Sequence, residues 1–398
     1  MTTYKILGQT FPTANTESVS YSTPSASSSL VRSINITNTS GTADTFDIAI
    51  KEDGNVPVNN YTFVAISTNT AAATSTDGTS WTARTLPSSS SWTGIANGNN
   101  VFVVIGGGSA AAASSTDGIT WTARTMPFSG GWYDTAYGSG VFVAIAYNNS
   151  GAATSTNGIT WTARTLPASR TWYAISYGNG VFAVSVLSSD AAASSTDGIT
   201  WTARTLPSTQ NWFDMAYGNE VFVLVGGTNA AATSTDAVTW TARTLVTGGS
   251  WRAVAYGNGV FVASSYGSNA AASSTDGITW TARTLPSGGA GYWNIAFNNG
   301  VFAANFNTGA SQSAASSTDG ITWTARTMTS STVWNRIGGG SYTSSSTTQN
   351  EDYIFKSTPI LGNETITVKA GYTMSENDQV RVKSTNGTSN FNIFGAEI

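Results

Sequence analysis

The chain has 398 residues, of which 40% are apolar and 10% charged, and its formal net charge is −4. This length allows one large hydrophobic core or two domains, and the weak negative charge excludes the basic field that attracts a nucleic-acid backbone. The chain has no cysteine and no histidine. It therefore lacks disulfides, thiolate metal sites, the commonest zinc ligand and the usual general base near neutral pH. We expect no cofactor, no metal site and no nucleic-acid partner.

Residues 1–60 contain alternating apolar and polar positions, which is typical of half-buried strands. Examples are Ser29–Thr37 and Thr45–Ile50. The N-terminus MTTYKILGQTF has no basic segment followed by a long apolar one, and no stretch approaches about 18 apolar residues. We expect a soluble chain with no secretion signal and no membrane insertion.

Residues 61–340 make 280 positions, or 40 for each of seven copies of one repeat. Two series of tryptophans mark the copies and include all 14 tryptophans of the chain. A period near 40 with several short β segments predicts an all-β fold, a seven-bladed β-propeller with four strands in each blade. The first series, in the repeated phrase STDGITWTAR, is Trp81, Trp121, Trp161, Trp201, Trp240, Trp280 and Trp323. The second series is Trp92, Trp132, Trp172, Trp212, Trp251, Trp293 and Trp334.

One copy illustrates the predicted blade. Its strands are Trp172–Tyr177, Val181–Val186, Ala191–Ser195 and Ile199–Arg204, and Thr205–Pro207 leads to the next blade. Glycine-rich and Asp-Gly turns separate the strands, as in tight hairpins.

The Asp-Gly turn is a device of the fold, because aspartate accepts hydrogen bonds from nearby backbone amides and glycine takes the positive φ. Asn157 replaces the aspartate in one copy, and Ala237 replaces the glycine in another. We expect the tryptophan after each turn to pack against a neighbouring blade beside the small alanines of strand three. The turn aspartates are Asp77, Asp117, Asp197, Asp236, Asp276 and Asp319.

The S-T-D-G-x-T-W phrase resembles the Asp-box (BNR) repeat of sialidases and other propellers, with one residue fewer than the usual spacing. The resemblance extends over about 280 residues and implies the propeller fold. It implies a structural turn at the blade periphery and no activity.

The first copy starts at strand two, Tyr61–Ser67, and the last copy stops after strand one, Val333–Gly339. Pairing of these two strands would close the ring and bring residues 60 and 340 together. We therefore expect the propeller to be inserted into a second domain, made of residues 1–60 and 341–398, with Ser341–Gln349 as the return linker.

The C-terminal flank adds alternating runs at Glu364–Lys369, Gln379–Lys383 and Phe391–Phe394, so the second domain is predicted to be an antiparallel β-sandwich. The segments KILGQTFPTA, SSLVRSINITNTSGTADTFDIAI, GNETITVKAGYTMSENDQVRVKSTNG and FNIFGAEI resemble a small β-sandwich module of tailed-phage virion proteins. In that module a short hairpin loop joins the halves, and here the propeller would occupy the loop between Asn60 and Glu351. The resemblance implies a fibre, tail or capsid decoration protein on the virion surface. Its partners would be other virion proteins and copies of itself in a symmetric homo-oligomer.

The two faces of the predicted propeller differ in sequence variation. The strand-one/two turns and the Asp-Gly turns are nearly constant, whereas the strand-two/three loops and the blade connections differ in every copy. Such loops on a repeated scaffold form a recognition surface or drift neutrally. Amide, hydroxyl and aromatic groups suit a neutral glycan such as host-surface polysaccharide. The candidate ligand-binding residues are Phe128, Tyr147, Asn148, Arg170, Asp190, Gln210, Asn229, Tyr266 and Tyr292.

The sequence offers few residues that could support catalysis or metal binding. The propeller contains one glutamate, Glu220, in a tight turn, and so lacks an evident acid pair for glycosyl hydrolysis. Each Asp-Gly turn offers one carboxylate, which is too few for calcium. A seven-fold arginine set is expected to cap carbonyls or aspartates on the outer strand: Arg84, Arg124, Arg164, Arg204, Arg243, Arg283 and Arg326. The sequence favours a non-enzymatic virion protein that binds glycan; a purely structural decoration subunit is the alternative, and a sialidase-like hydrolase the third.

Overall fold

A computed structural model describes residues 5–10, 17–22, 29–38, 42–51, 57–246, 249–286, 292–306, 313–345, 351–360, 365–374, 379–384 and 389–397. The chain is all-β and propeller-like. No helix that is long and apolar enough to cross a membrane occurs in these ranges. The chain divides into two compact units: residues 1–58 with 343–398, the flank unit, and residues 59–342, the repeat unit.

The strands of the described ranges are numbered in chain order. The N-terminal flank contains β1 (Lys5–Thr10), β2 (Glu17–Ser22), β3 (Ser29–Asn38) and β4 (Asp44–Lys51). The repeats begin with β5 (Pro57–Ser67), β6 (Ala71–Ser75), β7 (Thr82–Thr85), β8 (Ser91–Gly98), β9 (Val101–Gly107), β10 (Ser109–Ser115), β11 (Thr122–Gly138), β12 (Val141–Tyr147), β13 (Asn149–Ser155) and β14 (Thr162–Arg170). They continue with β15 (Trp172–Gly178), β16 (Val181–Val186), β17 (Ser189–Ser195), β18 (Thr202–Gln210), β19 (Trp212–Gly218), β20 (Val221–Gly226), β21 (Ala230–Ser234) and β22 (Thr241–Thr244). The last repeats hold β23 (Ser250–Gly257), β24 (Val260–Tyr266), β25 (Ala270–Ser274), β26 (Thr281–Thr284), β27 (Tyr292–Asn298), β28 (Val301–Phe306), β29 (Ser313–Ser317), β30 (Thr324–Thr327) and β31 (Trp334–Ser345). The C-terminal flank contains β32 (Glu351–Ile360), β33 (Thr365–Met374), β34 (Gln379–Ser384) and β35 (Ser389–Glu397).

In the repeat unit, consecutive strands pair into antiparallel sheets. Four of these sheets are β15–β18, β19–β22, β23–β26 and β27–β30. Strands β8–β14 form one seven-stranded sheet, because β11 is long enough to end one group of four and to begin the next. The remaining sheet has the order β31-β5-β6-β7, so the last strand of the unit pairs with its first.

The hydrophobic core of the repeat unit lies between neighbouring sheets. One buried cluster joins β8–β11 to β11–β14 through Val103, Trp132 and Trp161. Another joins β27–β30 to the β31-β5-β6-β7 sheet through Ala303 and Trp334. Burial of one indole removes roughly 200 Å² from water, which stabilises the fold by about 5 kcal/mol. Tryptophans of the second series with at most 1% exposure are Trp92, Trp132, Trp172, Trp212, Trp251 and Trp334.

The Asp-Gly turn delays the start of the fourth strand relative to the prediction. In the illustrated copy, the Oδ1 atom of Asp197 accepts the N–H groups of Ile199 and Thr200, both at 2.8 Å. Strand β18 therefore starts at Thr202, and it continues through the predicted connection to Gln210. The prediction of a fourth strand over Ile199–Arg204 was wrong at both ends, because the aspartate withdraws these amides from the ladder.

The register of β27 corrects the second tryptophan series. Tyr292 pairs with Phe306 in the position that Trp251 occupies opposite Ser265. Trp293 is therefore one position further along the repeat, and the prediction that all tryptophans occupy two equivalent positions is wrong here.

The flank unit contains two four-stranded antiparallel sheets, with the orders β1-β35-β3-β33 and β2-β34-β4-β32. Each sheet combines strands from both ends of the chain. Ile34 and Ile36 alternate along β3 and are buried, as are Phe46 and Val380 in the other sheet. Half of the predicted return linker, residues 341–345, belongs to β31, and residues 346–349 lie outside the described ranges.

Candidate functional site

Side chains that follow the second tryptophan series converge where the first strands of the sheets meet. A β-bulge after five tryptophans of this series, as between Trp132 and Asp134, places an additional residue at this position. These residues lie on β11, β15, β19, β23 and β31, and two tyrosines at the ends of β12 and β24 join them. We call the set the inner-strand cluster: Tyr133, Asp134, Tyr147, Tyr173, Phe213, Asp214, Arg252, Tyr266 and Arg336.

Arg336 links two aspartates that lie far apart in the chain. Its Nη2 atom is 3.6 Å from Oδ2 of Asp134, and its Nη1 atom is 4.0 Å from Oδ1 of Asp214. Its Nε–H donates to the backbone oxygen of Thr93 at 3.0 Å. One guanidinium therefore connects β31 to β8, β11 and β19.

Backbone amides hold both carboxylates in place. Asp214 accepts the N–H of Met215 at 3.0 Å and, across the sheet boundary, the N–H of Val254 at 2.9 Å. Asp134 accepts the N–H of Ile175 on the next sheet at 3.2 Å. Each carboxylate is thus fixed by its own sheet and by the following one.

Burial is the largest influence on the pKa values of Asp134, Asp214 and Arg336. It raises the pKa of Asp214 to about 7, against the opposing effect of Arg336. Burial also raises the pKa of Asp134 above its usual value. Burial alone would lower the pKa of the Arg336 guanidinium, but the two neighbouring aspartates raise it above the usual range. The cluster therefore holds a permanent cation beside two carboxyl groups whose pKa burial raises.

Aromatic rings form a continuous arc on one side of the cluster. The ring centroids of Tyr147 and Tyr133 are 5.5 Å apart, those of Tyr133 and Tyr173 are 4.3 Å apart, and those of Tyr173 and Phe213 are 5.7 Å apart. These separations are typical of interacting aromatic pairs. We call these four rings, with Tyr266, the aromatic arc.

Arg252 joins the two parts of the aromatic arc. Its guanidinium carbon lies 3.8 Å from the ring centroid of Phe213 and 5.2 Å from that of Tyr266. Its Nη1 atom donates to the hydroxyl of Tyr173 at 3.5 Å. Contacts of this kind with ring faces are attractive because of the quadrupole of the ring.

The arc is buried in the middle and accessible at its ends. Tyr173 and Phe213 are buried, Tyr133 and Tyr147 are half-buried, and Tyr266 is 40% exposed. Tyr147 and Tyr266 end the second strands of their sheets, directly before the strand-two/three loops. The inner-strand cluster is therefore reached from the side of the loops that vary among the copies.

Two of the predicted ligand-binding residues, Tyr147 and Tyr266, belong to this cluster. Phe128 instead packs on Trp132 with a centroid distance of 4.5 Å, as part of the core between sheets. The side chain of Tyr292 lies outside the described residues.

The other predicted ligand-binding residues are spread along loops and strand ends. Asn148 accepts a hydrogen bond from the hydroxyl of Thr171 at 2.7 Å. Asn229 has a φ of 62°, in a turn. The remaining residues lie at strand ends or on the surface: Arg170 at the end of β14, Asp190 exposed in β17, and Gln210 at the end of β18.

The turn aspartates, the arginine set and the first tryptophan series form contacts in the outer strands and turns of each sheet. The serine hydroxyl two residues before each turn aspartate donates to it, as Ser195 donates to Asp197 at 2.8 Å. The arginine set does not cap carbonyls or aspartates as expected: each Nε–H donates to a strand-three hydroxyl, as Arg204 does to Ser194 at 2.9 Å. The first tryptophan series ranges from buried to half-buried, with Trp121, Trp161, Trp240 and Trp280 at 8–9% exposure. These groups stabilise the fold, and they do not come together in one site as the residues of the inner-strand cluster do.

The sequence interpretation missed most of the inner-strand cluster because it examined the loops and the seven-fold sets. A usable signal was present in the two residues after each inner tryptophan. They are Tyr-Asp, Tyr-Ala, Phe-Asp, Arg-Ala and Asn-Arg in five copies, so charged and aromatic side chains break the repeat directly after a constant tryptophan. In the part of the chain that the structure describes, no group of three or more acidic side chains could hold a metal ion.

Comparison with known proteins identifies the fold class. No protein-family model matches the chain, and no curated protein matches its sequence. A streptogramin B lyase structure is similar over 83% of this chain and 98% of its own, with 12% identity and a TM-score of 0.57. Virginiamycin B lyase from Staphylococcus aureus, in a catalytically inactive form with quinupristin, is similar over 82% of this chain and 99% of its own, with 12% identity and a TM-score of 0.54. At this identity the likeness shows a propeller-like all-β fold and nothing about activity.

Proposed function

We propose that the chain is a virion surface protein whose repeat unit is a closed seven-bladed propeller that binds saccharide. The described strands support seven blades, because five four-stranded sheets and a seven-stranded sheet with a shared strand give seven groups of four. The pairing of β31 with β5 supports closure of the ring. The two sheets of the flank unit support a β-sandwich into which the propeller is inserted, since each combines strands from both ends of the chain.

The inner-strand cluster is the observation that carries the binding function. Aromatic rings beside carboxylates and guanidinium groups match the apolar faces and hydroxyl edges of sugars. The cluster is reached beside Tyr147 and Tyr266, at the side of the variable loops.

Virion attachment rests on the resemblance of the flank segments to a phage β-sandwich module. A propeller carried in many copies would gain avidity for a repetitive polysaccharide even if each site is weak. Immunogold labelling of purified phage particles with an antibody against the repeat unit tests this part. Absence of the chain from particles would refute it without affecting the saccharide test.

An antibiotic-lyase activity like that of the similar structures has less support. The inactive Staphylococcus aureus variant has a histidine replaced by alanine, and this chain contains no histidine. We therefore propose binding without catalysis.

The binding test uses the full chain and immobilised oligosaccharides. Tyr266→Ala removes an exposed ring of the arc, and Tyr61→Ala removes an equally exposed tyrosine, also at 40%, from the first half of β5. We expect Tyr266→Ala to weaken saccharide binding by up to about tenfold, in line with about 0.5–1.5 kcal/mol for an aromatic contact, and Tyr61→Ala to leave it unchanged. Absence of any saccharide binding by the unmodified chain would refute the proposed function.

A further inference from the structure

We infer that the inner-strand cluster is a subsite for a single neutral sugar at the end of a glycan chain, with the aromatic arc against one ring face and Asp134, Asp214 and Arg336 on its hydroxyls. This inference rests on the proposed saccharide binding and deepens it. It assigns the ligand unit, its charge class and its orientation.

The cluster has two chemically different sides. The aromatic arc covers the side formed by β11, β15, β19 and β23. The side formed by β31 and β8 is polar: Arg336 donates to the Thr93 oxygen, and the side-chain amide of Asn335 donates to the Trp92 oxygen at 2.8 Å. A sugar ring has the same division, because one face carries C–H groups and its edge carries hydroxyls. The polar groups on this side keep their protein partners, and the remaining lone pairs of the two carboxyl groups can accept hydrogen bonds from sugar hydroxyls.

The charges favour a neutral sugar. The guanidinium of Arg336 already lies between Asp134 and Asp214, at 3.6 and 4.0 Å. An acidic sugar would add a third acidic group to a poorly hydrated site in which burial already raises the pKa of both aspartates despite Arg336, so its negative charge is disfavoured. Arg252, the second cation of the cluster, is engaged with the rings of Phe213 and Tyr266 and with the Tyr173 hydroxyl. Sugar hydroxyls, in contrast, donate to carboxylates and accept from guanidinium without adding charge.

Burial favours the end of a glycan over its middle. Asp134, Asp214, Tyr173 and Phe213 are each at most 8% exposed, whereas Tyr266 at the arc end is 40% exposed. A glycan that reaches the two carboxyl groups must therefore enter past the exposed ends of the aromatic arc, with its terminal sugar first. An internal sugar of a chain would need room for a neighbour on both sides.

The experiment measures binding of the full chain to pairs of immobilised oligosaccharides that differ only in the terminal unit, a neutral hexose or the corresponding uronic acid. We expect the neutral member of a pair to bind at least tenfold more tightly. We also expect exoglycosidase removal of the terminal hexose to abolish binding. Tighter binding of the acidic member, or unchanged binding after trimming, would overturn the inference.

Variants locate the subsite. Asp214→Asn retains an acceptor for the Val254 amide and adds no cavity, so the chain should fold, and we expect binding of the neutral glycan to weaken about tenfold. The matched variant Asp197→Asn changes a turn aspartate at the periphery of its sheet, where Asn157 stands in another copy, and should bind as the unmodified chain does. If Asp190→Asn, which changes an exposed aspartate of β17 on the loop side, weakens binding and both Asp214→Asn and Tyr266→Ala do not, saccharide recognition belongs to the loops and the assignment of the inner-strand cluster is wrong. If no glycan binds at all, the proposed function itself fails.

Discussion

Arg336 lies 3.6 Å from Asp134 although the two residues belong to β31 and β11 and are separated by 202 positions in the chain. The same guanidinium is 4.0 Å from Asp214 on β19. A single side chain of the last strand therefore connects sheets that are not neighbours in sequence. It completes the candidate site and the closure of the repeat unit at the same time.

Removal of Arg336 should destabilise the repeat unit strongly. Arg336→Met leaves two buried carboxyl groups without their cation, and the free energy of unfolding should fall by about 3–5 kcal/mol. Urea denaturation followed by tryptophan fluorescence measures this change. The control is Arg164→Met, because Arg164 donates only to the Thr154 hydroxyl on an outer strand, and its loss should amount to about 1 kcal/mol.

A rescue separates charge from packing. If the loss in Arg336→Met comes from the uncompensated carboxylates, then adding Asp134→Asn and Asp214→Asn should recover most of it. A triple variant as unstable as Arg336→Met would show that the side chain acts by filling space.

Stability should depend on pH through Asp214. Its pKa rises from 3.8 to about 7 on folding because of burial, so between these values the folded chain holds a proton that the unfolded chain has released. The free energy of unfolding should be highest near pH 4 and fall as pH rises towards 7, by about 1.4 kcal/mol per pH unit at most. Asp214→Asn should reduce this slope in urea titrations from pH 4 to 8, and Asp134, whose pKa burial also raises, should account for the remainder. Arg164→Met, which changes no group that titrates in this range, should leave the slope intact.

The turn aspartates should make the free energy of unfolding decrease as pH falls, which is opposite to the effect of Asp214. Backbone donors, with Thr200 foremost, lower the pKa of Asp197, and equivalent donors lower the pKa of Asp236. Their contribution to stability is present above pH 3.8 and is lost as pH falls below it. Asp197→Asn should retain more of its stability between pH 4 and 2 than the unmodified chain does. Equal losses over this range would contradict the assignment.

Close approach between sheets should make one glycine irreplaceable. A Cβ atom on Gly138 would lie 2.0 Å from Cγ of Tyr177 on the next sheet. Gly138→Ala should therefore cost about 1–3 kcal/mol by overpacking. In the background of Tyr177→Ala the same substitution should cost much less. Thermal unfolding of the four chains of this cycle gives the coupling energy.

The sequence allowed the repeat unit to be predicted well and the candidate site poorly, for one physical reason. Periodic features such as Asp197, Trp201 and the strand hairpins depend on local contacts that recur every 40 residues, so repetition reveals them. The inner-strand cluster depends on residues that break the repeat, such as Arg336 and Asp134, and their proximity follows only from the arrangement of the sheets. The register shift at Trp293 was missed because spacing alone does not show which residue occupies the bulge.

The turn in which Ala237 replaces the glycine has a smaller residue packed against it than the regular turn has, and this pairing can be tested. At the regular turn, a Cβ on Gly198 would lie 2.5 Å from Cγ2 of Val143 on the preceding sheet. In the irregular copy the glycine is replaced by Ala237, with a φ of 57°, and the valine by Ala183, in the same buried cluster. The smaller neighbour leaves room for the extra methyl group.

Ala183→Val alone should therefore destabilise the chain by about 1–3 kcal/mol, because the valine collides with Ala237. Ala237→Gly alone removes a left-handed alanine, a gain of about 1–2 kcal/mol, but it also opens a small void. The double variant Ala183→Val with Ala237→Gly restores the glycine–valine pairing of five of the other six copies and should be at least as stable as the unmodified chain. Urea denaturation of all four chains measures the coupling, and additive effects would show that the two positions do not share one space.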